Sequence, residues 1–408
     1  MIKSLELSNW KSFESATLFI DPLTILIGAN ASGKSNILDA FVFLKRIASG
    51  LSVQEAIEGT STIDQIRGGS NWVFNGSSKH FCIKVVFEKD EVDYCFSINV
   101  KSEGSSIYVG EESLQLCETN EKLYWVNSSE GKANIVVFVT GVNGAKNLIC
   151  KSSIPVFRQL ETVTDLCPDA ASAIKSLAGY LGDLFVLDPV PSRMRGYSQT
   201  SKSLREDASN IAGVLASFPK DEKDLLEKTI TEYAKALPEK ELMRVYAITA
   251  GAFGTDTMLM CEEGWGLANT SIVDASGISD GILRYLAIAT ALLTRPENSL
   301  LIIEEADNGL HPSRAKSLLD MLTALGAERK IDVLVTTHNP AILDAAGNRM
   351  IPFIFVVHRD NKTGSSLITP LETLDALPKI VASGSLGDIS TNKSIENALK
   401  MRVSTCCR

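Results

Sequence analysis

The spacing of apolar positions at the start of the chain predicts mostly strands. Residues 3–7 and 17–20 alternate between apolar and polar side chains, as half-buried strands do. Residues 23–27 form an apolar run of strand length instead, which predicts a strand buried on both faces. A helix follows Lys34, because apolar side chains then recur at helical spacing, at Ile37, Phe41, Leu44 and Ala48.

Further strands are predicted before residue 155, and helices become frequent after it. Residues 81–87 and 94–100 predict a strand pair, and we expect residues 104–151 to continue that antiparallel sheet. Later helices and strands are predicted at 170–184, 221–236, 281–293, 300–303, 313–325 and 333–336, and residues 185–195 predict a short strand that enters a proline-stiffened loop. Because strands and helices alternate after residue 281, we expect a parallel sheet covered by helices.

These patterns predict an α/β fold in four segments. We assign a first lobe with a peripheral antiparallel sheet to 1–155 and a helical insertion to 156–270. A second lobe follows at 271–370, and a C-terminal tail at 371–408. Internal repeats and heptad arrays are absent from the sequence, so coiled-coil arms are not expected.

Composition is that of an ordinary globular protein. Of 408 residues, 45% are hydrophobic and 22% are charged, which excludes a disordered or collagen-like chain. The net charge of −9 argues against a basic coat for unspecific nucleic-acid binding, but it leaves room for a local basic groove. The sequence contains no CxxC pair, so a zinc site is not predicted. The adjacent Cys406 and Cys407 fit either a frayed tail or a redox or metal feature.

The strongest motif is Gly-Ala-Asn-Ala-Ser-Gly-Lys-Ser at 28–35, which matches GxxxxGK[ST] between a predicted strand and a predicted helix. Glycines let the backbone curl so that its N–H groups face phosphate oxygens, and the helix N-terminus adds its positive dipole end. Lys34 would reach the β- and γ-phosphates, and the Ser35 hydroxyl would bind Mg²⁺. We assign nucleotide binding to Gly28, Asn30, Gly33, Lys34, Ser35 and Asn36.

Candidate catalytic residues follow two later strands. Glu304 and Glu305 end the apolar run at 300–303, and carboxylates at the end of a parallel strand lie where such sheets bind ligands. We expect Glu304 to hold Mg²⁺ and Glu305 to orient the attacking water. His338 follows the strand at 333–336 and is placed to contact the γ-phosphate or that water.

A serine at a third place has two interpretations. Ser279, Asp280 and Gly281 open the helix at 281–293. Ser279 fits a simple N-cap, and the same geometry also fits a second anion site. One nucleotide does not need two anion sites in one chain, unless the second site serves a partner subunit. We therefore assign Ser279, Asp280 and Gly281 to nucleotide binding as well.

The order of these motifs resembles the ABC-type ATPase heads of the RecF, SMC and OLD group. Residues 7–13, Leu-Ser-Asn-Trp-Lys-Ser-Phe, also resemble the opening strand of that group, which usually reads Asn-Phe-(Lys/Arg)-Ser-Phe. The blocks at 66–69, 187–189, 193–195 and 308–312 are most similar to compact bacterial OLD-like ATPases of the AAA family. Many of those are linked to phage defence or DNA metabolism.

The resemblance implies a P-loop NTPase fold and a role for each motif. Residues 28–35 correspond to Walker A, Glu304 and Glu305 to Walker B, and 279–281 to the signature motif. Residues 308–312 correspond to the D-loop region and His338 to the switch histidine. Glu304 replaces the more usual Asp, the signature reads Ser-Asp-Gly, and Gln159 and the Asp188-Pro189 loop both compete for the Q-loop position.

The resemblance therefore implies a Mg²⁺-dependent ATPase that dimerises around ATP. Lys34, Glu305 and His338 would be catalytic, and Ser279 of one subunit would face Lys34 of the other across each γ-phosphate. The tail after His338 is too short for the Toprim nuclease domain of OLD nucleases. We therefore expect a head alone, which acts as a switch or clamp.

Alternative functions and partners remain open from the sequence. A slow ATPase that holds a separately encoded nuclease or toxin is the second reading, and a transporter subunit is disfavoured by the signature and the opening strand. DNA is a possible partner through Arg193, Arg195, Lys202 and Arg205, although a solvated surface or internal ion pairs fit these residues equally well. Without a signal peptide or an apolar span, we expect a cytoplasmic protein without membrane contact.

Overall fold

The computed structural model describes residues 1–128, 133–141, 144–238, 242–251, 254–265, 269–375, 377–378, 384–391, 395 and 399. The chain divides into two units, each assembled from three separate stretches. Unit 1 comprises Met1–Asp21, Gly28–Leu184 and Phe355–Thr369, and unit 2 comprises Pro22–Ile27, Phe185–Ile354 and Pro370–Arg408. Cys406 and Cys407 lie outside the described residues.

Strands and helices are numbered along the chain. The strands are β1 Ile2–Trp10, β2 Phe13–Phe19, β3 Leu23–Ile27, β4 His80–Lys89, β5 Val92–Glu103, β6 Ser106–Leu116, β7 Lys122–Ser128, β8 Asn134–Gly141, β9 Gly144–Lys151, β10 Phe185–Leu187, β11 Ser198–Gln199, β12 Leu242–Ala250, β13 Asp256–Trp265, β14 Asn269–Asp274, β15 Leu300–Ile303, β16 Asp332–Thr337, β17 Ile354–Arg359 and β18 Ser366–Pro370. The helices are α1 Lys34–Ala48, α2 Val53–Glu58, α3 Gly69–Trp72, α4 Val156–Leu160, α5 Pro168–Gly182, α6 Pro191–Met194, α7 Ile211–Ala216, α8 Lys220–Lys235, α9 Asp280–Thr294, α10 Ala315–Arg329, α11 Pro340–Ala346 and α12 Leu386–Thr391.

Unit 1 contains an antiparallel sheet in the order β2-β1-β4-β5-β6-β7-β8-β9. Its inward side chains alternate with polar ones, and α1 buries Ile37, Phe41 and Leu44 as the helical spacing predicts. The core includes the rings of Trp10 and Phe81, whose centroids lie 4.8 Å apart in an edge-to-face arrangement. The predicted antiparallel sheet is confirmed, and it extends through 106–116, 122–128, 134–141 and 144–151.

Unit 2 contains the parallel strands in the order β10-β15-β16-β3. Every residue of β3, β15 and β16 is buried, which agrees with their nearly continuous apolar sequences. Helix α9 precedes β15 and helix α10 precedes β16 along the chain, and the buried residues of both helices are largely apolar. The predicted α/β fold with a mixed architecture is therefore confirmed.

The segment predicted as a helical insertion, 156–270, is not purely helical. It contains α4 to α8, but its last part forms β12 and β13, which pair with each other and then with β14. A bulge between Leu242 and Arg244 breaks the alternation of β12, so its buried side chains fall at Leu242, Val245 and Ala247. Because of this uneven spacing, β12 lacks the regular period of two by which a strand is predicted from sequence.

The four predicted segments also differ from the two units. The short strand β3 belongs to unit 2, although both of its neighbours in the chain belong to unit 1. Residues 355–369 return to unit 1 from the far end of the sequence. Local composition cannot reveal such exchanges, because they depend on pairing between distant strands.

Candidate nucleotide-binding site

The predicted phosphate loop joins β3 to α1 and curls as the motif requires. Gly28 and Gly33 have φ angles of 155° and 121°, and Ala31 has a φ of 63°. A Cβ atom on Gly28 would lie 2.2 Å from Val357 O, and one on Gly33 would lie 2.5 Å from Ser366 Oγ. Both glycines are therefore demanded by backbone angle and by close packing within unit 1.

Lys34 folds back over the loop that precedes it. Its Nζ donates hydrogen bonds to Gly28 O at 2.6 Å and to Ala29 O at 3.1 Å. Ser32 Oγ is buried in the same loop, and it has no hydrogen-bond partner among the described residues. Helix α1 begins at Lys34 without a side-chain cap. An ammonium group, a helix N-terminus and an orphaned hydroxyl thus converge on one short loop, as an anion site requires.

Two residues from β17 and β18 support this loop, and the sequence did not predict either. Arg359 Nε donates to Ala31 O at 3.1 Å, and Ser366 Oγ lies 2.5 Å from Ser32 O. Ser366 Oγ also lies 2.8 Å from Ser12 Oγ. Neither residue carries a local motif, and each lies more than 300 positions from the loop, so no sequence signal was available.

Asn36, predicted as a nucleotide ligand, has a structural role in unit 1. Its Nδ2 donates to Ser12 Oγ at 2.7 Å, and its backbone O accepts from Trp10 Nε1 at 2.7 Å. These bonds join the first turn of α1 to the β1–β2 turn. The Asn-Trp-Lys-Ser stretch around Trp10 therefore positions the helix that follows the phosphate loop.

An open pocket of about 670 Å³ lies beside this helix in unit 1. Its lining includes Ser12, Asn36, Arg67, Trp72 and Arg359. Trp72 is 72% exposed, which is unusual for so large an apolar side chain. No sequence motif indicated Trp72, although it lies close to the block at 66–69 that resembles OLD-like ATPases.

A buried ion pair includes Lys11, which also lines this pocket. Lys11 Nζ lies 2.5 Å from Asp39 Oδ2, and the two side chains are 4% and 5% exposed. Lys11 also donates to Arg67 O at 2.7 Å, and Arg67 Nε lies 3.4 Å from Asp39 Oδ1. Burial lowers the pKa of Lys11, and the Asp39 carboxylate opposes that change.

In unit 2 the predicted catalytic residues follow adjacent parallel strands. The register pairs Ile303 with Val335 and Ile27 with Thr337, so β15, β16 and β3 end side by side. Glu304 N donates to Leu187 O at 3.1 Å, which extends the pairing of β15 with β10 by one residue. Gly28 follows Ile27 directly in the chain.

The structure brings Glu305 and His338 together. Glu305 has a φ of 46°, and its N–H donates to Thr336 Oγ1 at 2.9 Å. Its Oε1 lies 3.9 Å from His338 Nδ1, and its Oε2 accepts from Asn308 Nδ2 at 3.2 Å. Both side chains of the Glu305–His338 pair are about half exposed, so a phosphate or a water could reach them.

The predicted signature residues lie at the start of α9. Ser279 Oγ accepts from Ile282 N at 3.4 Å, which is the N-cap interpretation. Asp280 was predicted to bind nucleotide, but its Oδ1 lies 2.5 Å from Arg195 NH2. Gly281 packs against the D-loop region, because a Cβ there would lie 2.4 Å from Gly309 O.

Comparison with known proteins identifies the family. The model of one family, described as "AAA domain, putative AbiEii toxin, Type IV TA system", matches residues 23–139 and 186–344, which is more than half of the chain. The chain belongs to this AAA family. The family is one of ATPases of the ABC and AAA type, as the motif order implied.

Several solved and curated proteins are similar to this AAA protein. An SMC head bound to the C-winged helix domain of ScpA has a TM-score of 0.55 and 16% identity, over 90% of this chain and 97% of that one. Structural maintenance of chromosomes protein 1 of Arabidopsis thaliana is 28% identical over 34% of this chain and 11% of its own length. The methionine import ATP-binding protein MetN of Clostridium tetani is 33% identical over 21% of this chain and 26% of its own length.

The chain thus spans about a tenth to a quarter of these curated relatives. The similarity to the SMC head establishes the P-loop NTPase fold of the AAA protein, with an ABC-type mixed architecture. Among the residues that the structure describes, none of the helices has the length and apolar character needed to cross a bilayer.

The two Q-loop candidates of the AAA protein differ in their engagement. Gln159 accepts from Lys151 N and donates to Lys151 O, both at 2.9 Å, and it also donates to Ile154 O. Its amide is thus committed to the backbone of unit 1. Asp188 lies in unit 2 with Oδ1 3.8 Å from Arg284 NH1, and it directly follows the strand that accepts from Glu304 N.

Two of the four residues in the predicted basic cluster form ion pairs within unit 2. Arg193 NH1 lies 3.2 Å from Asp207 Oδ2, and Arg195 is paired with Asp280. Lys202 and Arg205 are exposed, and neither forms an ion pair with an acidic side chain among the described residues. The geometry favours internal ion pairs over a DNA-binding patch for half of the cluster.

Whether the site fits Mg²⁺ and ATP depends on the side chains and backbone groups that could bind them. Mg²⁺ binds proteins through one or two side chains, with waters and substrate phosphates completing its shell. The described residues contain no group of three or more metal-binding side chains, and the prediction needs only Ser35 and Glu304. The orphaned Ser32 hydroxyl and the curled glycines fit phosphate oxygens at the loop.

Proposed function

We propose that this AAA-family chain binds ATP and Mg²⁺ and hydrolyses ATP. The observation that carries the proposal is the phosphate loop, in which Lys34 Nζ, the uncapped start of α1 and the buried Ser32 hydroxyl converge. Phosphate oxygens would replace Gly28 O and Ala29 O as partners of Lys34. The Ser35 hydroxyl and Glu304 would hold the metal ion, which neutralises charge on the phosphates.

Glu305 and His338 are the proposed catalytic pair. Glu305 is held by Asn308 and by the Thr336 hydroxyl, so its carboxylate has a defined direction from the end of β15. It would accept a proton from the attacking water. His338, at 3.9 Å from that carboxylate, would donate a hydrogen bond to the γ-phosphate or to the same water.

The pocket beside α1 is the proposed place of the base and ribose. The exposed face of Trp72 offers a stacking platform, and base–aromatic stacking contributes about 1–3 kcal/mol. Trp72→Ala should therefore raise the KM for ATP about 5- to 100-fold, whereas Tyr197→Ala, at an exposed aromatic of unit 2, should leave it unchanged. An unchanged KM in Trp72→Ala would place the base elsewhere.

ATP binding itself is tested at Lys34. Lys34→Ala should abolish binding of a fluorescent ATP analogue, because the ammonium group is the cation of the loop. Lys228→Ala, an exposed lysine of α8, is the matched control and should bind normally. Retained ATP affinity in Lys34→Ala would contradict the assignment of the phosphate loop.

We further propose that two chains sandwich two ATP molecules, with Ser279 of each chain facing the nucleotide of the other. Ser279 and Asp280 are exposed at the start of α9, where a helix N-terminus can receive an anion. Binding of the γ-phosphate would close the dimer, and hydrolysis would release it, which makes the head a switch or clamp.

Sedimentation velocity of Glu305→Gln tests the sandwich. This variant should bind ATP without hydrolysing it and accumulate as a dimer, whereas Glu297→Gln, at an exposed residue after α9, should behave like the wild type. A monomer at saturating ATP and Mg²⁺ for every variant would contradict the sandwich. Dimerisation that is independent of ATP would contradict the switch.

A second candidate is a slow ATPase that holds a separately encoded effector in phage defence or DNA metabolism. The family description names a toxin and a toxin–antitoxin system, and the similar SMC head carries a bound ScpA domain. Co-expression with the products of neighbouring genes, followed by gel filtration with and without ATP, tests this role. Elution without any partner would favour the stand-alone switch, and a cytoplasmic location remains a prediction for either role.

A further inference from the structure

One short segment of unit 2 contacts both the Walker B strand and the signature loop. Its first residue, Leu187, accepts a hydrogen bond from Glu304 N at 3.1 Å. The next, Asp188, has its Oδ1 3.8 Å from NH1 of Arg284, a residue of α9. The segment then runs through α6 and ends at Arg195 beside the loop that precedes α9.

Arg195 gathers that loop around its guanidinium group. NH1 donates to Ala275 O at 3.2 Å, to Ser276 O at 2.7 Å and to Ile278 O at 2.8 Å. NH2 donates to Asp280 Oδ1 at 2.5 Å. A planar guanidinium with five N–H groups suits such a convergence of carbonyls, and a lysine ammonium lacks the same fork geometry.

Two further hydrogen bonds within the loop support it. Asp274 Oδ1 accepts from Ser276 N at 2.9 Å and caps the short turn Ala275–Gly277. Ser279 caps α9 through its bond with Ile282 N. Arg195 thus ties this loop, with the exposed Ser279, to a part of unit 2 that lies 80 positions away in the chain.

Asp280 explains why the cation matters. A carboxylate in the first turn of a helix occupies the place where a phosphate would bind, and it repels an incoming anion. Pairing with Arg195 offsets that negative charge at the same edge where Ser279 is exposed. Removing the guanidinium would leave an unpaired carboxylate beside the proposed anion site.

We propose that Arg195 is a positioning residue for the signature loop. It holds Ser279 in place for the phosphate of the partner's nucleotide and offsets the charge of Asp280. Through Leu187 and Asp188, the same segment links this loop to Glu304. The proposal rests on the proposed sandwich of two ATP molecules.

Steady-state ATPase assays over a range of protein concentrations test the positioning role. Arg195→Ala should lower kcat about 10-fold or raise by about 10-fold the protein concentration that gives half-maximal activity, since it removes several charge-assisted hydrogen bonds. Binding of a fluorescent ATP analogue to the monomer should change less than about twofold, because the Lys34 loop belongs to unit 1. Arg195→Lys should restore only part of the activity.

The pair with Asp280 supplies the decisive comparison. Arg195→Ala/Asp280→Ala should be more active than Arg195→Ala alone, because the unpaired carboxylate has gone. Arg244→Ala, at an exposed ion-paired arginine of the same unit, is the matched control and should keep wild-type activity. A double variant no better than Arg195→Ala, or an Arg195→Ala variant with wild-type activity, would overturn the proposal.

Amide hydrogen exchange separates this proposal from the proposed function. Exchange at residues 276–282 should become faster in Arg195→Ala than in the wild type, with or without ATP. If the wild type fails to hydrolyse ATP while exchange at 276–282 is still faster in Arg195→Ala, Arg195 is retained as the anchor of the loop and the ATPase is refuted. Unchanged exchange at 276–282 would refute the anchor itself, whatever the ATPase activity.

Discussion

The buried pair of Lys11 and Asp39 gives a prediction whose size follows from its burial. The two side chains are 4% and 5% exposed, and their charged atoms lie 2.5 Å apart. Removing one partner of a buried pair costs about 3–5 kcal/mol, because the other charge is left without compensation. Asp39→Asn should therefore destabilise unit 1 by about this amount.

The two single variants should not cost the same. In Lys11→Met, Asp39 keeps Arg67 Nε as a neighbour at 3.4 Å, so the loss should be smaller, about 2–3 kcal/mol. In Asp39→Asn, the Lys11 ammonium keeps the carbonyl of Arg67 as an acceptor, but it loses the carboxylate that compensated its charge. Lys11→Met/Asp39→Leu replaces both charges and should be more stable than Asp39→Asn.

The pH dependence has a defined sign. Burial already lowers the pKa of Lys11 below its ordinary value, and loss of Asp39 should lower it further. Between the lowered pKa and the ordinary one, the unfolded state binds more protons than the native state, so stability rises with pH. The deficit of Asp39→Asn should therefore shrink as the pH rises from 7 towards 10.

Native-state hydrogen exchange of the α1 amides is the assay, since Asp39 lies on that helix. The exposed pair of Lys316 and Asp320, 2.7 Å apart on α10, provides the control, and Lys316→Met should cost less than about 0.5 kcal/mol. A loss below about 1 kcal/mol in Asp39→Asn would refute the reasoning. So would a Lys11→Met/Asp39→Leu variant that is no more stable than Asp39→Asn.

Two further predictions concern packing and proton linkage. Gly281→Ala should push α9 away from Gly309 O, so it should lower the free energy of urea unfolding by about 1–3 kcal/mol and lower ATPase activity. Gly179→Ala, with open space around it in α5, should leave the unfolding free energy unchanged or raise it. Equal unfolding free energies for the two variants would contradict the contact between Gly281 and Gly309. Burial raises the pKa of Glu112 to about 7, against hydrogen bonds from Val156 N, Phe157 N and Tyr124 OH. Because the native state holds this proton more tightly, stability should fall by about 3 kcal/mol as the pH rises from about 4.5 to 7. Thermal unfolding of Glu112→Gln should lose that slope, and an unchanged slope would assign it to other groups.

The parallel core and the phosphate loop were predictable because their signals are local. A buried strand reads as an apolar run, and β3, β15 and β16 were all placed within a residue or two. The conformation of Gly28 and Gly33 follows from the motif alone. Placing Glu304, Glu305 and His338 at strand ends follows from the same runs.

Partners that come from distant parts of the chain were not predictable. Arg359 and Ser366 support the phosphate loop but have no motif of their own. Asp280 was read as a nucleotide ligand because nothing in the sequence indicates its pairing with Arg195. The bulge in β12 broke the strand period, so a sheet was read as part of a helical insertion.

The interleaved path of the chain has a consequence for its synthesis. Unit 1 lacks its last stretch until residue 369 has been made, and the five-residue β3 must wait for β16, whose sequence begins at residue 332. Neither unit can therefore complete its fold before the ribosome has synthesised these late segments. Pairings this far apart in sequence are slow to form, and the apolar β3 stays without its strand partner until then. We expect a nascent chain of this protein to depend on chaperones until residue 369 has emerged from the ribosome.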